Sequence, residues 1–303
     1  MLNAEWTLSD ADFRLITGMV YDHCGITLNE SKRDLVQARL SKELRAGGYQ
    51  TVEQYVRMLM ADQTGARFTS LIDALSTNLT SFFREPEHFQ YLTSTLVPGW
   101  VAARGNATRR IVAWSAACSS GEEPYTLGIA LSEALVAAEQ AAGRSGAAVD
   151  SISGPGGWDV RILATDISTR VLGTAKAGIY PSSRLGGISP EHRQAYFGRC
   201  DPSFLPHRGR GKEEVFQVRP FLRSMIRFRH LNLMEGWPFS GPFDVIFCRN
   251  VMIYFDKPTQ ERLVNRFHDC LAPGGYLFTG HSESLTGIRH TFQYVKPTIY
   301  RRS

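Results

Sequence analysis

Several short stretches of this chain place ionisable or amide side chains directly after apolar runs, the pattern expected where buried strands end and a site begins. In RIVAWSAACSSGEEPY (110–125), Ile-Val-Ala-Trp leads through small residues to Glu122 and Glu123. Short continuous apolar runs of this kind suit buried parallel strands. Pro124 fits the first turn of a helix, where a missing N–H removes no bond, and the adjacent carboxylates suit the positive end of the helix dipole. Leu127, Leu131, Ala134 and Leu135 then repeat at helical spacing. Strand, small-residue turn and helix together form the unit that holds a nucleoside ligand at the carboxyl end of an open α/β sheet. This turn has one glycine, Gly121, where the dinucleotide fingerprint has three, and no Lys or Arg to cradle phosphate. A cosubstrate without phosphates, held by carboxylates, fits better. An ordinary buried turn is the alternative.

Three further strand ends repeat the theme. Residues 160–164 form a strand ending in Thr165-Asp166. An acid there is the usual ligand of a ribose hydroxyl pair, and a cap on the next helix is the competing role. Asn232-Leu233 closes the following strand in the same manner, and FDVIFCRNVMIY (243–254) runs a buried strand straight into Arg249 and Asn250. A buried Arg or Asn requires partners, which favours a site over simple packing. Upstream, in TNLTSFFRE (77–85), Asn78, Thr80 and Arg84 interleave with apolar residues as a polar lip, while Phe82 and Phe83 read as core. The eight histidines show no ligand spacing, His281 reads as structural with a place at the border of the site as its alternative, and no metal is expected.

The elements that must carry these groups fall into two regions. Residues 1–92 read as helical, with Ser9-Asp10 capping a helix that carries Phe13, Ile16 and Val20. A second helix over 31–46 stops at Gly47-Gly48, and two more cover 52–60 and 67–76. In the second helix Val36, Leu40 and Leu44 line one face, with Arg39, Lys42 and Arg45 roughly opposite and expected in solvent. Residues 93–303 alternate strand and helix: a helix over 169–177, strands over 225–231, 243–247 and 275–279, and a helix over 258–271. The tail, 292–301, supplies one or two antiparallel strands. This is a doubly wound α/β sheet. Residues 141–157 read as a Gly/Ala/Ser-rich surface loop. Residues 188–222, with a capped helix at Ser189-Pro190-Glu191, a loop at Gly209-Arg210-Gly211 and a strand over 215–219, read as a small inserted subdomain.

Composition narrows the class. A chain of 303 residues with 43% hydrophobic and 21% charged residues can bury a real core. Its five scattered cysteines, without CxxC, suit reduced thiols in a cytoplasmic protein. The start MLNAEWTLSD lacks the apolar run of a signal peptide, and nothing is long enough to span a membrane. A net charge of +5 is compatible with an acidic partner.

In order, TNLTSFFRE, WSAACSSGEEPYT, ATDIS, LNL, FDVIFCRNVMIYFDKPTQ and APGGYLFTGHSESL closely resemble the CheR-type chemotaxis-receptor glutamate methyltransferases. The likeness covers nearly the whole chain from KRDLVQARL onward. It implies a helical receptor-recognition domain and a class I S-adenosylmethionine-binding domain with a small β-subdomain. It further implies that Asn78, Thr80, Arg84, Glu123, Asp166, Asn232, Leu233, Arg249 and Asn250 contact the cosubstrate. Arg84 and Tyr254 match residues placed near methyl transfer, and Glu122 is too close to Glu123 to set aside. Arg39 and Arg45 match arginines that face the acidic cytoplasmic helices of methyl-accepting receptors, with Lys42 beside them. Glu43 departs from the pattern, standing where a basic residue is often found, and the 141–157 insertion is long for the family.

The implied reaction gives a glutamate methyl ester. Glutamate has an ordinary pKa of about 4.3, so the acceptor arrives ionised and needs no strong base. Accordingly the chain has no Ser-His-Asp or HExxH arrangement. Two alternatives are a nucleic-acid methyltransferase, against which stands the absence of an NPPY-like tetrad, and a non-catalytic receptor-binding module.

Overall fold

The computed structural model describes residues 7–62, 65–76, 78–104, 108–144, 148–150, 154–204 and 213–303. Thr77, the loop at Gly209-Arg210-Gly211 and parts of 141–157 lie outside the described residues. Four helices open the chain: α1 (Asp10–Cys24), α2 (Arg33–Gly47), α3 (Val52–Ala61) and α4 (Ala66–Leu75). Their ends follow local chemistry. Ser9 accepts the Asp12 N–H through its side chain, and Thr51 caps α3 likewise at Gln54. Gly25 and Gly48 end α1 and α2 in the left-handed conformation. The apolar stripes close on one another, with Ile16, Val20, Val36, Leu40, Leu71 and Ile72 fully buried.

After this bundle, α5 (Pro86–Tyr91) and α6 (Val97–Arg104) are joined by a π-helical turn, Leu92–Leu96. Phe89, Leu92, Leu96 and Val97 belong to the core of the sheet that follows rather than to the bundle. That sheet is built from β1 (Arg110–Ala116), α7 (Glu122–Ala141), β2 (Asp159–Asp166) and α8 (Thr169–Ala177). A small unit comes next: β3 (Ile179–Pro181), α9 (Pro190–Tyr196), β4 (Phe197–Cys200) and β5 (Val215–Val218). The main sheet resumes with α10 (Pro220–Ser224), β6 (Ile226–His230), β7 (Phe243–Cys248), α11 (Lys257–Cys270) and β8 (Leu271–Thr279). It ends in β9 (Gln293–Lys296) and β10 (Ile299–Arg301).

The seven-stranded order is β6-β2-β1-β7-β8-β10-β9, parallel from β6 to β8 and antiparallel at β10 and β9. Alternate residues serve opposite layers. Ala113, Val245 and Phe247 pack with Leu127 and Leu131 of α7, whereas Trp114 and Ile246 pack with Leu263, Val264 and Phe267 of α11. The chain leaves β1 toward β2 on one side and returns as β7 on the other. This topological switch point opens a crevice at the strands' carboxyl ends.

The small sheet, β3-β5-β4, is antiparallel and draws in Ile179–Pro181, upstream of the 188–222 segment assigned to the insertion. Phe82 is core, as expected, and meets Tyr180 and Phe197 edge-on at 5.1 and 5.5 Å.

Candidate active site

A cavity of about 280 Å³ sits at that crevice. The turn after β1, Ala117, Cys118 and Ser119, lines it together with Glu123 from the first turn of α7 and Asp166 from the end of β2. Arg249, Asn250 and Tyr254, beyond β7, close another wall, and Asn78, Thr80 and Arg84 form the lip that the sequence suggested. Eight of the expected cosubstrate or transfer residues therefore share one space. Backbone strain concentrates around it: Ala117 (φ 64°), Ser119 (φ 49°), Asn250 (φ 60°), Phe83 (φ 53°) and Glu85 (φ 56°) are all left-handed without being glycine. Gly121 (φ 98°) is the position in the turn that no other residue fills easily, because a Cβ there would lie 2.8 Å from the Tyr180 hydroxyl.

Asp166 is 5% exposed, and its two oxygens accept the N–H groups of Ser119 and Ser168, each at 2.8 Å. Burial outweighs those bonds and pushes its pKa up to about 6. Each oxygen keeps a lone pair, which suits a diol donating two hydroxyl protons. Asn78 supplies the complementary signal: its Nδ2 is buried without a hydrogen-bond partner, a donor that a ligand in this cavity can satisfy. An adenosyl cosubstrate fits this donor set.

Arg249 is gripped from two sides, its side chain 2% exposed. It pairs with Glu85 at 2.9 Å and Glu123 at 3.1 Å, donates to the Arg84 carbonyl, and lies over the Phe89 ring at 5.4 Å. Glu123 also accepts the Ser115 hydroxyl at 2.7 Å; burial raises its pKa despite Arg249. Glu85 behaves oppositely. Burial pushes it up, but Arg249, Asn250 and the His281 N–H outweigh that and hold it near 2.

Some expected residues are placed elsewhere. Asn232 and Leu233 do not line the cavity. The Asn232 amide donates to the His23 carbonyl at 2.6 Å and accepts the Met234 N–H at 3.0 Å, tying the helical bundle to the turn after β6. Leu233 sits in the α11-side core, its carbonyl taken by Arg266 at 2.6 Å. Glu122 separates from Glu123: it is fully buried, bonded to Ser120 and paired with Arg184, and so anchors the small subdomain to α7. Arg39 corrects the expectation of a solvated stripe. Its guanidinium donates to the Leu75 and Ser76 carbonyls at 2.6 and 2.8 Å, closing the open end of α4, while Lys42 and Arg45 are exposed.

The structure also adds residues that sequence reasoning missed. Glu85 joins the lip to β7 through Arg249 and Asn250. Glu283 accepts the N–H groups of Asn250, Ile253 and Gly280 at 2.7, 3.1 and 2.6 Å, setting the turn that carries Tyr254. Both carboxylates lie inside motifs already quoted, TNLTSFFRE and GHSESL, where a lone acid among apolar or small residues was the available signal. Ile26, Thr27 and Leu28, between α1 and α2, line the cavity as well, and the Thr27 N–H donates to the Tyr254 carbonyl at 2.8 Å.

Fold and cavity together define a doubly wound α/β domain with a crevice suited to a nucleoside cosubstrate, preceded by a helical N-terminal domain. Residues 78–301 match the family described as CheR methyltransferase, SAM binding domain, and residues 11–76 match CheR methyltransferase, all-alpha domain. The chain is 42% identical over 297 residues to the chemotaxis protein methyltransferase of Salmonella typhimurium, covering 98% of this chain and 91% of that one. It is 38% identical to the chemotaxis protein methyltransferase of Escherichia coli, with 98% and 92% covered. Chemotaxis protein methyltransferase 1 of Pseudomonas aeruginosa is 36% identical, with 97% and 98% covered. The chain belongs to the CheR methyltransferase family: it is an S-adenosylmethionine-dependent methyltransferase of chemotaxis.

Proposed function

We propose that this protein esterifies glutamate side-chain carboxylates on the cytoplasmic helices of chemotaxis receptors, meeting the membrane only through the receptor. The carrying observation is the single cavity in which Asp166, the unpartnered Asn78 amide, Arg84, Asn250 and Tyr254 converge. When bound, S-adenosylmethionine supplies a methyl group on a positively charged sulfur. Asp166 accepts from a hydroxyl pair, and Asn78 donates. The acceptor glutamate is ionised, so no residue has to remove a proton from it. Arg84 is given the part of orienting that carboxylate; in support, it lines the cavity, and its Nη1 donates to the Leu79 carbonyl at 2.8 Å. Tyr254 walls the same space. Attack of an anion on a cation cancels both charges, so it is favoured where the protein excludes water and fixes alignment.

The test is incubation with methyl-labelled S-adenosylmethionine and receptor-bearing membranes. Base-labile label should appear on receptor glutamates; base-stable label, or label on another residue type, overturns the reading. Tyr254→Phe and Arg84→Ala should each lower kcat by about tenfold or more while changing cosubstrate affinity less. If either variant loses affinity alone, its part is positioning.

Docking of the acidic helices is assigned to the exposed Lys42 and Arg45. Because Arg39 holds α2 to α4, the informative variant is Lys42→Glu/Arg45→Glu with Arg39 intact. KM for receptor should rise several-fold, cosubstrate affinity should stay constant, and added salt should depress the wild type more than the variant. Equal salt sensitivity in both proteins removes this face from docking.

A further inference from the structure

Two strongly exposed apolar side chains among the described residues stand on the rim of the cavity: Leu79, 78% exposed, and Ile253, 50% exposed. Single exposed leucines are ordinary on protein surfaces. These two are unusual in how they are held. The Leu79 carbonyl accepts from Arg84 at 2.8 Å, and the preceding carbonyl, of Asn78, accepts the Ser119 hydroxyl at 3.1 Å. The Ile253 N–H donates to Glu283 at 3.1 Å within a single short turn, Met252–Tyr254. Side chains of the site thus clamp the backbone on which each apolar group is displayed. Their immediate neighbours Asn78, Thr80 and Tyr254 face the same cavity, and cationic Lys32 and Arg84 also line it.

An occupant that satisfies this opening presents one carboxylate to the cations and apolar groups beside it to the rim. On a helix, the neighbours of a residue lie three and four positions away. Resting on the proposed glutamate esterification, we propose that Leu79 and Ile253 form a specificity rim. They seat apolar side chains one turn from the acceptor glutamate on an amphipathic receptor helix, and in doing so seal the cavity from water. Burying apolar groups from both partners drives seating, and removing water strengthens the attraction between the acceptor anion and the cationic donor. Glutamates with polar neighbours at those positions are then poor acceptors, although the carboxylate is the same.

The experiment is steady-state methylation of receptor in membranes by wild type, Leu79→Ser, Ile253→Ser and Leu79→Met. Each serine variant should raise KM for receptor about tenfold, a change equivalent to roughly 1.4 kcal/mol, with unchanged Kd for S-adenosylmethionine. Leu79→Met should stay near wild type. Replacing the apolar residues three and four positions from one acceptor glutamate by serine should raise KM similarly for wild type and add little for the serine variants. An active wild type whose serine variants keep its KM overturns the rim alone. So does an equal loss of cosubstrate affinity, which makes these residues part of the cosubstrate wall, or serine variants that dissociate a wild-type dimer, which makes the rim a contact between copies. A wild type that labels no receptor glutamate overturns both the rim and the esterification it rests on.

Discussion

Arg249→Met should destabilise the protein by about 3–5 kcal/mol, the scale for removing one partner of a buried ion pair. Methionine nearly preserves the volume but leaves Glu85 and Glu123 as neighbouring carboxylates, with side chains only 11% and 13% exposed and no cation between them. In the wild type the sign is clear. Glu85 is depressed to about 2, so its pairing contributes stability above the ordinary value of 4.5 and loses it as pH falls toward 2. Without Arg249, burial becomes the dominant influence, so the carboxylates should take up protons and the variant should be relatively more stable in mild acid. Urea midpoints at pH 7 and pH 5 check both points. Adding Glu85→Gln to Arg249→Met should recover part of the loss, because it removes one of the two stranded charges. A loss below about 1 kcal/mol at pH 7 would mean that solvent reaches these groups freely and that the pair does not brace the site.

The main sheet was legible because its signals are local and strong. Apolar runs ending in small or polar residues marked β1, β2 and β7, and the Ser9 cap and the Gly47-Gly48 stop marked α1 and α2 to within about two residues. β3 and β4 were not legible: three and four residues are too few for a period-2 pattern, and only their pairing with β5 makes them strands. The same limit applied to side-chain roles. Asp166 and Arg249 were readable because each follows a buried run. The difference between Glu122 and Glu123 was not, since it depends on Arg184 and Arg249, which lie 62 and 126 residues away in the chain. Arg39 misled for a related reason. Helical spacing put it off the buried stripe, and the carbonyls that capture it belong to the end of a different helix. Ile26, Thr27 and Leu28 carried no signal at all, because an inter-helix connection becomes part of a site only when the bundle docks on the sheet.

Asp166→Ala should weaken S-adenosylmethionine binding by roughly 1.5–3 kcal/mol, about 10- to 150-fold, the scale of hydrogen bonds to a charged group. The wild type carries its own control. Burial lifts Asp166 to about 6 against the Ser119 and Ser168 N–H bonds, and with each oxygen already accepting one N–H, protonation turns one of the two remaining acceptor sites into a donor. Affinity should therefore be flat above about pH 7 and fall as pH drops through 6, approaching tenfold per unit. Glu85, held near 2, stays ionised over this window and cannot be the source. Glu123 is also raised by burial and can contribute, so the profile has to be repeated in Asp166→Asn. That variant should bind weakly at every pH and lose the portion of the fall that belongs to Asp166; any slope that remains belongs to the other carboxylates of the site that burial raises, Glu123 and Glu283. Titration calorimetry from pH 5 to 8 reads both proteins. Wild-type affinity that stays constant across that range, or an alanine variant that is folded and binds normally, would take the hydroxyl-pair role away from Asp166 and leave it as the cap that orders Ser119 and Ser168.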